Sequence, residues 1–306
     1  MGIVVLGSIN MDVIAYGPRL PKPGETLHGT SYKLGLGGKG ANQAVAVARL
    51  GAELDFIGRV GADGFGEAAR NEFAQYGVTC DGVLVDAAHP TGIALIGVDD
   101  AGQNAVTVIA GANGALDSSD CARAKAALDR AAVLLLQLEV PAAVNSAAAG
   151  LVRRRGGLVI LDPAPAPDGG LADAVLGSAN IITPNETETG ALTGTIPRTP
   201  AEGLAAAKAL RARGIETVIV KMGAMGAVIA HASLETHVPA FRVAVLDTVA
   251  AGDCFNGALA VALAEGQSLL AAVRFAAAAG ALATTRRGAA AAAPARAEVE
   301  RLLTSS

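Results

Sequence analysis

The feature that most constrains this chain is a series of short, unbroken apolar runs spread along its length. Residues 2–6, 54–57, 133–136, 158–161, 180–182 and 217–220 are dominated by Val, Ile and Leu at consecutive positions. A strand needs apolar side chains on successive residues only when both of its faces are covered. Between the runs lie segments of helical periodicity at 41–50, 65–76, 142–155 and 202–213. Strand and helix alternate, so an α/β fold is expected: a doubly wound, mostly parallel sheet with helices on both faces. The 306 residues, 52% of them hydrophobic, can bury one large core, and we read 1–306 as a single domain.

Two stretches break this rhythm. Residues 12–35 and 91–109 alternate apolar and polar side chains between turn formers, as at Asp99-Asp100-Ala101-Gly102, and leave no room for a crossover helix. They are expected to pair as a small separate β-sheet, a lid over the ligand crevice.

Composition removes several functional classes. A net charge of -4, with 17% charged residues and no basic run, is unsuited to gripping nucleic acid phosphates. Cys80, Cys121 and Cys254 show neither CxxC pairing nor zinc spacing, which suits a reducing compartment. The apolar run at 3–6 is too short for a signal-peptide core and has no basic flank, so a cytoplasmic protein is expected. The apolar stretch at 268–285 carries Arg274 at its centre and few large side chains, so no membrane span is expected there.

Four motifs could carry chemistry, and each has an ordinary structural alternative. Gly35-Leu36-Gly37-Gly38-Lys39-Gly40-Ala41-Asn42-Gln43 is a glycine-rich stretch opening into a helix, where backbone can approach a ligand closely. By letter it contains GxGxxG at Gly35, Gly37 and Gly40, with Asp55 downstream, but no buried strand feeds it and the dinucleotide reading is disfavoured. A hinge with a solvated lysine is its bland alternative. Asp247-Thr248-Val249-Ala250-Ala251-Gly252-Asp253 precedes a helix, and small residues at a helix start leave N–H groups free to surround an anion. Asp253 could then take the proton from an attacking hydroxyl, or merely cap the helix.

Thr183-Pro184-Asn185-Glu186-Thr187-Glu188 places Asn185 and Glu188 on one helix face, where they could hold hydrated Mg²⁺ or form a capping box. Lys221-Met222-Gly223-Ala224-Met225-Gly226 follows a strand and suits close approach to a nucleotide, or a simple turn. Asp12 and Glu139, read as sitting where strands end, are candidate partners for sugar hydroxyls.

The order of these motifs decides between the alternatives. Asn10-Met11-Asp12, the 37–43 run, Gln137-Leu138-Glu139, Pro184-Asn185-Glu186-Thr187-Glu188 and the 247–253 stretch together resemble the ribokinase-like sugar kinase family, nearly end to end. The resemblance implies a doubly wound α/β fold with a β lid, lids that often pair into a homodimer, and ATP-dependent phosphorylation of a sugar. Ribose at its 5-hydroxyl is the expected substrate, with deoxyribose, another sugar or a nucleoside as alternatives within the family. A rival from another class is an NAD-binding oxidoreductase; a sugar-binding protein with a dead site is a third.

The family's sugar contacts fall on Asn10, Asp12, Gly38, Lys39, Asn42 and Glu139, its catalytic base on Asp253 and its anion hole on Ala250, Ala251, Gly252 and Asp253. Its nucleotide region falls on Asn185, Glu188, Lys221, Gly223 and Gly226, with Glu188 serving Mg²⁺ through water. Its monovalent cation site, usually for K⁺, falls on Asp247, Val249, Arg286 and Gly288. Ala291 stands where the family often has Ser near that loop, and Ala277 where it has a polar group near the adenine.

Overall fold

The computed structural model describes residues 2–167 and 169–305. In chain order its strands are β1 (Gly2–Leu6), β2 (Asn10–Tyr16), β3 (Ser31–Gly37), β4 (Leu54–Gly61), β5 (Val83–Asp86), β6 (Gly92–Val98) and β7 (Asn104–Ile109). They continue with β8 (Ala131–Leu136), β9 (Leu158–Leu161), β10 (Ile181–Ile182), β11 (Thr217–Lys221), β12 (Ala227–His231) and β13 (Leu234–Val238). The α-helices are α1 (Lys39–Arg49), α2 (Gly64–Gln75), α3 (Ser118–Arg123), α4 (Lys125–Arg130), α5 (Ala142–Arg154) and α6 (Asp173–Leu176). The remaining five are α7 (Glu186–Thr193), α8 (Pro200–Arg211), α9 (Ala251–Ala264), α10 (Leu269–Ala283) and α11 (Arg296–Thr304).

Nine strands form one sheet in the order β13-β12-β11-β10-β9-β8-β1-β4-β5, parallel from β11 to β5 and antiparallel across β11, β12 and β13. The unbroken apolar runs are explained by the period of two. Ile3, Val5, Val133, Leu135, Ile160 and Ile219 point into a core shared with α1, α9 and α10. Val4, Leu6, Leu134, Leu136, Val159, Leu161, Ile182, Val218 and Val220 point into a second core shared with α5 and α8. The expected α/β architecture is therefore present, with strand and helix limits shifted by a few residues. The terminal hairpin β12–β13 has no counterpart among the sequence expectations; it lies at the sheet edge, where β13 faces solvent on alternate positions.

The alanine content has a structural use. Helix α9 is buried at every position from Asp253 to Ala262, and α10 buries Ala272, Ala276, Ala278 and Ala279 against it, so small side chains let the helices approach closely. No helix among the described residues is long and apolar enough to cross a membrane.

A second sheet, in the order β3-β2-β6-β7, grows from the carboxyl end of β1, because only Gly7-Ser8-Ile9 separates β1 from β2. Asp12 therefore lies inside β2, in register with Gly35 and Ala94, and not at the end of the first strand as its place in the sequence suggests. The GxGxxG glycines Gly35 and Gly37 belong to β3 of this second sheet, while Asp55 pairs loosely with Arg130 on the surface, so no parallel strand feeds a dinucleotide loop.

Two glycines make the junction possible. Gly38 has φ +86°, a left-handed conformation that caps α1, and a Cβ on Gly40 would stand 2.6 Å from Ser8 N and 2.8 Å from Gly7 Cα. The Gly7–Ser8 backbone fills that space, so Gly40→Ala is expected to lower the unfolding free energy by about 1–3 kcal/mol, measured by chemical denaturation. An unchanged midpoint would show that α1 can move away from β1 freely.

Candidate active site

The parallel strands β1, β8, β9, β10 and β11 all end on one side of the sheet, and each delivers a polar residue there. The chain leaves β1 for β4 on one flank and later returns to β8 on the other, so the sheet reverses its winding at the β1–β8 pair. Such a switch point opens a crevice beyond the strand ends. Ser8 follows β1; Gln137 and Glu139 follow β8; Asp162 follows β9; Asn185 follows β10; Lys221 ends β11. The N-termini of α1 and α9 close the crevice from the helical layer.

Asp253 is the centre of this arrangement. It occupies the third position of α9, is only 5% exposed, and does not cap the helix: the cap position is Ala250, at φ 57°, with no side-chain cap. Its carboxylate instead accepts from Asn42 Nδ2 at 2.9 Å and Gln43 Nε2 at 3.2 Å. Burial is the dominant influence on its proton affinity. Lys39 and the two amides work against burial and the nearby Asp162 adds to it, leaving the carboxyl raised to about 6. The backbone N–H groups of Gly252 and Asp253 donate to no group among the described residues, and they stand at the positive end of the helix dipole. Lys221 Nζ lies 3.3 Å from where a Cβ on Gly252 would stand and 3.0 Å from Asp162 Oδ1.

A second group of residues surrounds Lys39. Burial disfavours its charge, but Asp253, Asp162, Glu139 and Glu188 outweigh burial and hold the ammonium above the ordinary lysine range. Glu139 Oε2 accepts from Ser8 Oγ at 2.5 Å and from Lys39 N at 2.9 Å. Asp12 is raised to about 6 by burial first, then by Glu139 and Glu72. Asn10, 4% exposed, is fixed through its Oδ1, which accepts from Asn113 Nδ2 at 2.8 Å. Asn10, Asp12, Gly38, Lys39, Asn42, Glu139 and Asp253 thus line one region at the junction of the two sheets.

The other candidates fall into two neighbouring clusters. Asn185 and Glu188 form a reciprocal capping box on α7: Glu188 N donates to Asn185 Oδ1 at 2.8 Å, and Asn185 N donates to Glu188 Oε2 at 2.7 Å. Burial pushes the Glu188 carboxyl up, against the pull of Lys221. Lys221 bridges to Asn185 along the strand, and Gly223 and Gly226 shape the turn into β12. Asp247 gathers the last cluster, accepting from Val249 N and Gly288 N, each at 3.1 Å. The Arg286 side chain turns away from it to pair with Glu298 and the Ala293 carbonyl. Ala291 lies in the turn beside Gly288, while Ala277 sits on α10, partly buried against the core.

Asp162, Gln43, Gln137 and Asn113 are among the residues of this network absent from the sequence candidates, as is Ser8. Asp162 has a usable signal: it is a carboxylate directly after an apolar strand, the criterion that selects Glu139. Gln43 and Gln137 stand inside the motifs without a role. Asn113 has no signal, because its contacts with Ile9 and Asn10 are made across about a hundred residues of chain.

A carboxylate beside free helix-terminal N–H groups and a lysine is an arrangement for moving a charged group onto a hydroxyl, and comparison with known proteins agrees. The model of the pfkB family carbohydrate kinases matches residues 2–296. The chain belongs to that family. A ribokinase of Haemophilus influenzae is 40% identical over 98% of both chains. Among solved structures, ribokinase from Thermotoga maritima superposes with a TM-score of 0.89 at 37% identity over 99% of both chains. Arabidopsis thaliana ribokinase, solved with ribose and ATP, superposes at 0.90 with 34% identity, again over 99% of both. As a member of the pfkB family this protein is a carbohydrate kinase, and the dinucleotide alternative is set aside.

Burial of an ionisable group at the centre of the site makes stability pH-dependent. An ordinary aspartate loses its proton near pH 3.8, whereas Asp253 in the folded chain keeps it to about 6. Between these values the native state holds a proton the unfolded chain has lost, so Asp253 makes unfolding easier as pH rises from about 4 to 6. Asp253→Asn, which does not ionise, is expected to gain about 1–3 kcal/mol relative to the parent across that window, read from unfolding midpoints at pH 4 and pH 7.5. A difference independent of pH would contradict the raised proton affinity.

Proposed function

We propose that this protein transfers the γ-phosphate of ATP to the 5-hydroxyl of ribose, giving ribose 5-phosphate and ADP. The observation that carries this reading is Asp253, buried, held by Asn42 and Gln43, and adjoining the free N–H groups of Gly252 and Asp253. The ribokinases among its relatives, and the ribose and ATP bound by the Arabidopsis protein, support the choice of substrates.

In this mechanism Asp253 accepts the proton of the 5-hydroxyl as that oxygen forms its bond to the γ-phosphorus and the bond to the ADP oxygen breaks. The helix start at Ala250, Ala251, Gly252 and Asp253, aided by Lys221, receives the charge on the moving phosphoryl. Asn10, Asp12, Gly38, Lys39, Asn42 and Glu139 hold the sugar hydroxyls. Asn42 supports this, because its Nδ2 donates to Asp253 while its buried Oδ1 has no partner among the described residues and is left as an acceptor for a hydroxyl. Asn185, Glu188, Lys221, Gly223 and Gly226 flank the nucleotide.

Mg²⁺, when bound with ATP, neutralises phosphate charge. Both Glu188 oxygens already accept from Asn185, so Glu188 would hold the ion through water. The carboxylate of Asp247 likewise accepts from Val249 and Gly288, which draws the two segments of that loop together; carbonyls of the 247–249 and 286–288 segments would then supply a site for K⁺.

The second sheet serves as a lid that excludes water during transfer. Leu34 and Leu95 flank Val13 in register on one of its faces and are exposed, as is Tyr32 two residues along, which supports pairing of two lids in a homodimer. Cys80, Cys121 and Cys254 are free, consistent with a cytoplasmic setting.

ADP release from MgATP should require ribose when the purified protein is offered ribose, deoxyribose, fructose, adenosine or no sugar. Release with a different acceptor would move the substrate while keeping the chemistry. K⁺ should raise the ribose-dependent rate above that in Na⁺ alone, and equal rates would remove the cation site. Asp253→Asn should lose turnover by about 10²- to 10⁴-fold while still binding the sugar, and near-normal turnover would sink its role as the base.

A further inference from the structure

Asp162 is 1% exposed, lies outside every role assigned above, and touches both halves of the proposed chemistry. Its Oδ1 accepts from Lys221 Nζ at 3.0 Å, on the phosphoryl side. Its Oδ2 accepts from Gln43 Nε2 at 3.1 Å, and the same nitrogen donates at 3.2 Å to Asp253 Oδ1, on the sugar side. One amide nitrogen therefore spends its two hydrogens on two buried carboxylates. The amide is not free to turn over, because Gln43 Oε1 accepts from Gln137 Nε2 at 2.7 Å. Asn145 Nδ2 donates at 2.6 Å to the Gln137 backbone carbonyl, which holds the chain just after β8, while Gln137 Oε1 has no partner among the described residues.

We infer that Asp162 is a positioning residue for phosphoryl transfer, holding the Asp253 carboxylate through Gln43 and the Lys221 ammonium directly, in one arrangement. The inference rests on Asp253 being the base. Two effects follow from the geometry. Lys221 is kept beside Gly252, where the transferring group meets the helix start. Asp253 shares its amide donor with a like charge, which makes it hold a proton more tightly and act as a stronger base. The charged groups facing Asp253 are Lys39 from α1, Asp162 after β9 and, further out, Lys221 on β11, Glu139 after β8, Glu188 on α7 and Arg286 beside Cys254. Of these, only Asp162 is joined to Asp253 by a single intervening side chain while also bonded to Lys221.

The test is the pH profile of turnover with saturating MgATP and varied ribose, from pH 5 to 9, for the parent, Asp162→Asn, Asp162→Glu, Gln43→Met and Asp253→Asn. Asp162→Asn removes the like charge, so the acidic limb should move down by about one pH unit. Turnover on the plateau should fall about tenfold or less, as a weaker base requires, with the KM for ribose within about twofold of the parent. Gln43→Met removes a donor to Asp253 but keeps the Asp162 charge, so its limb should move up. Asp162→Glu keeps the charge and should bring the limb back toward the parent. A limb that stays at the parent pH in Asp162→Asn overturns the inference whatever Gln43→Met does, because Gln43 donates to Asp253 directly. If Asp162→Asn does not fold, Asp162→Ser, which also removes the charge, is read in its place. Near-normal turnover in Asp253→Asn would overturn the base assignment instead, a result distinguishable from failure of the role given to Asp162.

Discussion

A carboxylate removed from water without a direct cationic partner is costly, and much of this structure can be understood as the means of keeping Asp253 in that condition. Two side-chain amides from α1 supply its hydrogen bonds, and Lys39 supplies compensating charge without contacting it as an ion pair. Those residues reach Asp253 only because α1 packs along α9, and α1 can start where it does only because Gly38 and Gly40 admit the backbone of Ser8 and Gly7. The position of the central carboxylate therefore depends on backbone contacts about two hundred residues away from it in the chain.

The polar network beneath the site is built largely from neutral amides. Gln137 and Gln43 pass orientation from the end of β8 to α1, and only then to the two carboxylates, while Asn145 of α5 fixes the Gln137 backbone. Amides carry direction without net charge, so they can order a buried region without adding to the repulsion between Asp162 and Asp253. Lys221, paired with Asp162, and Lys39, near Asp253, then offset the negative charge. Removing one member leaves a buried polar atom unpaired as well as a neighbour free to turn, and that is why such networks respond non-additively to substitution.

The large sheet was legible because burial on both faces leaves no alternative to consecutive apolar residues, and the small sheet because its segments alternate. Site residues were legible where a motif clustered them, as at Gly38, Lys39 and Asn42, or where a carboxylate followed an apolar run, as at Glu139. Asp12 was found for the wrong local reason: the chain passes from β1 to β2 with only three residues between, so the position looks like a strand end and is a strand interior. Asn113 was invisible because a single buried amide in a short turn leaves no pattern in its neighbourhood; its value comes from Ile9 and Asn10, which only the fold brings near. The hairpin β12–β13 escaped because β13 alternates apolar and polar residues and β12 follows a glycine-bounded turn in place of a helix, although residues 227–230 are themselves a buried apolar run.

The alanine-faced contact between α9 and α10 has a consequence for how the protein tolerates change. Large apolar residues at a helix interface give two routes to damage, since truncation opens a void and enlargement causes a clash. Here Ala258, Ala260, Ala262, Ala272, Ala276 and Ala279 present almost nothing to truncate, so only enlargement remains. At these alanines the two helices are insensitive to loss of side-chain volume and intolerant of its gain, whereas the buried Phe255, Leu259 and Val261 of the helix that carries the base stay open to both kinds of damage. It is therefore the alanine positions that a sequence drifting under mutation can leave in one direction only.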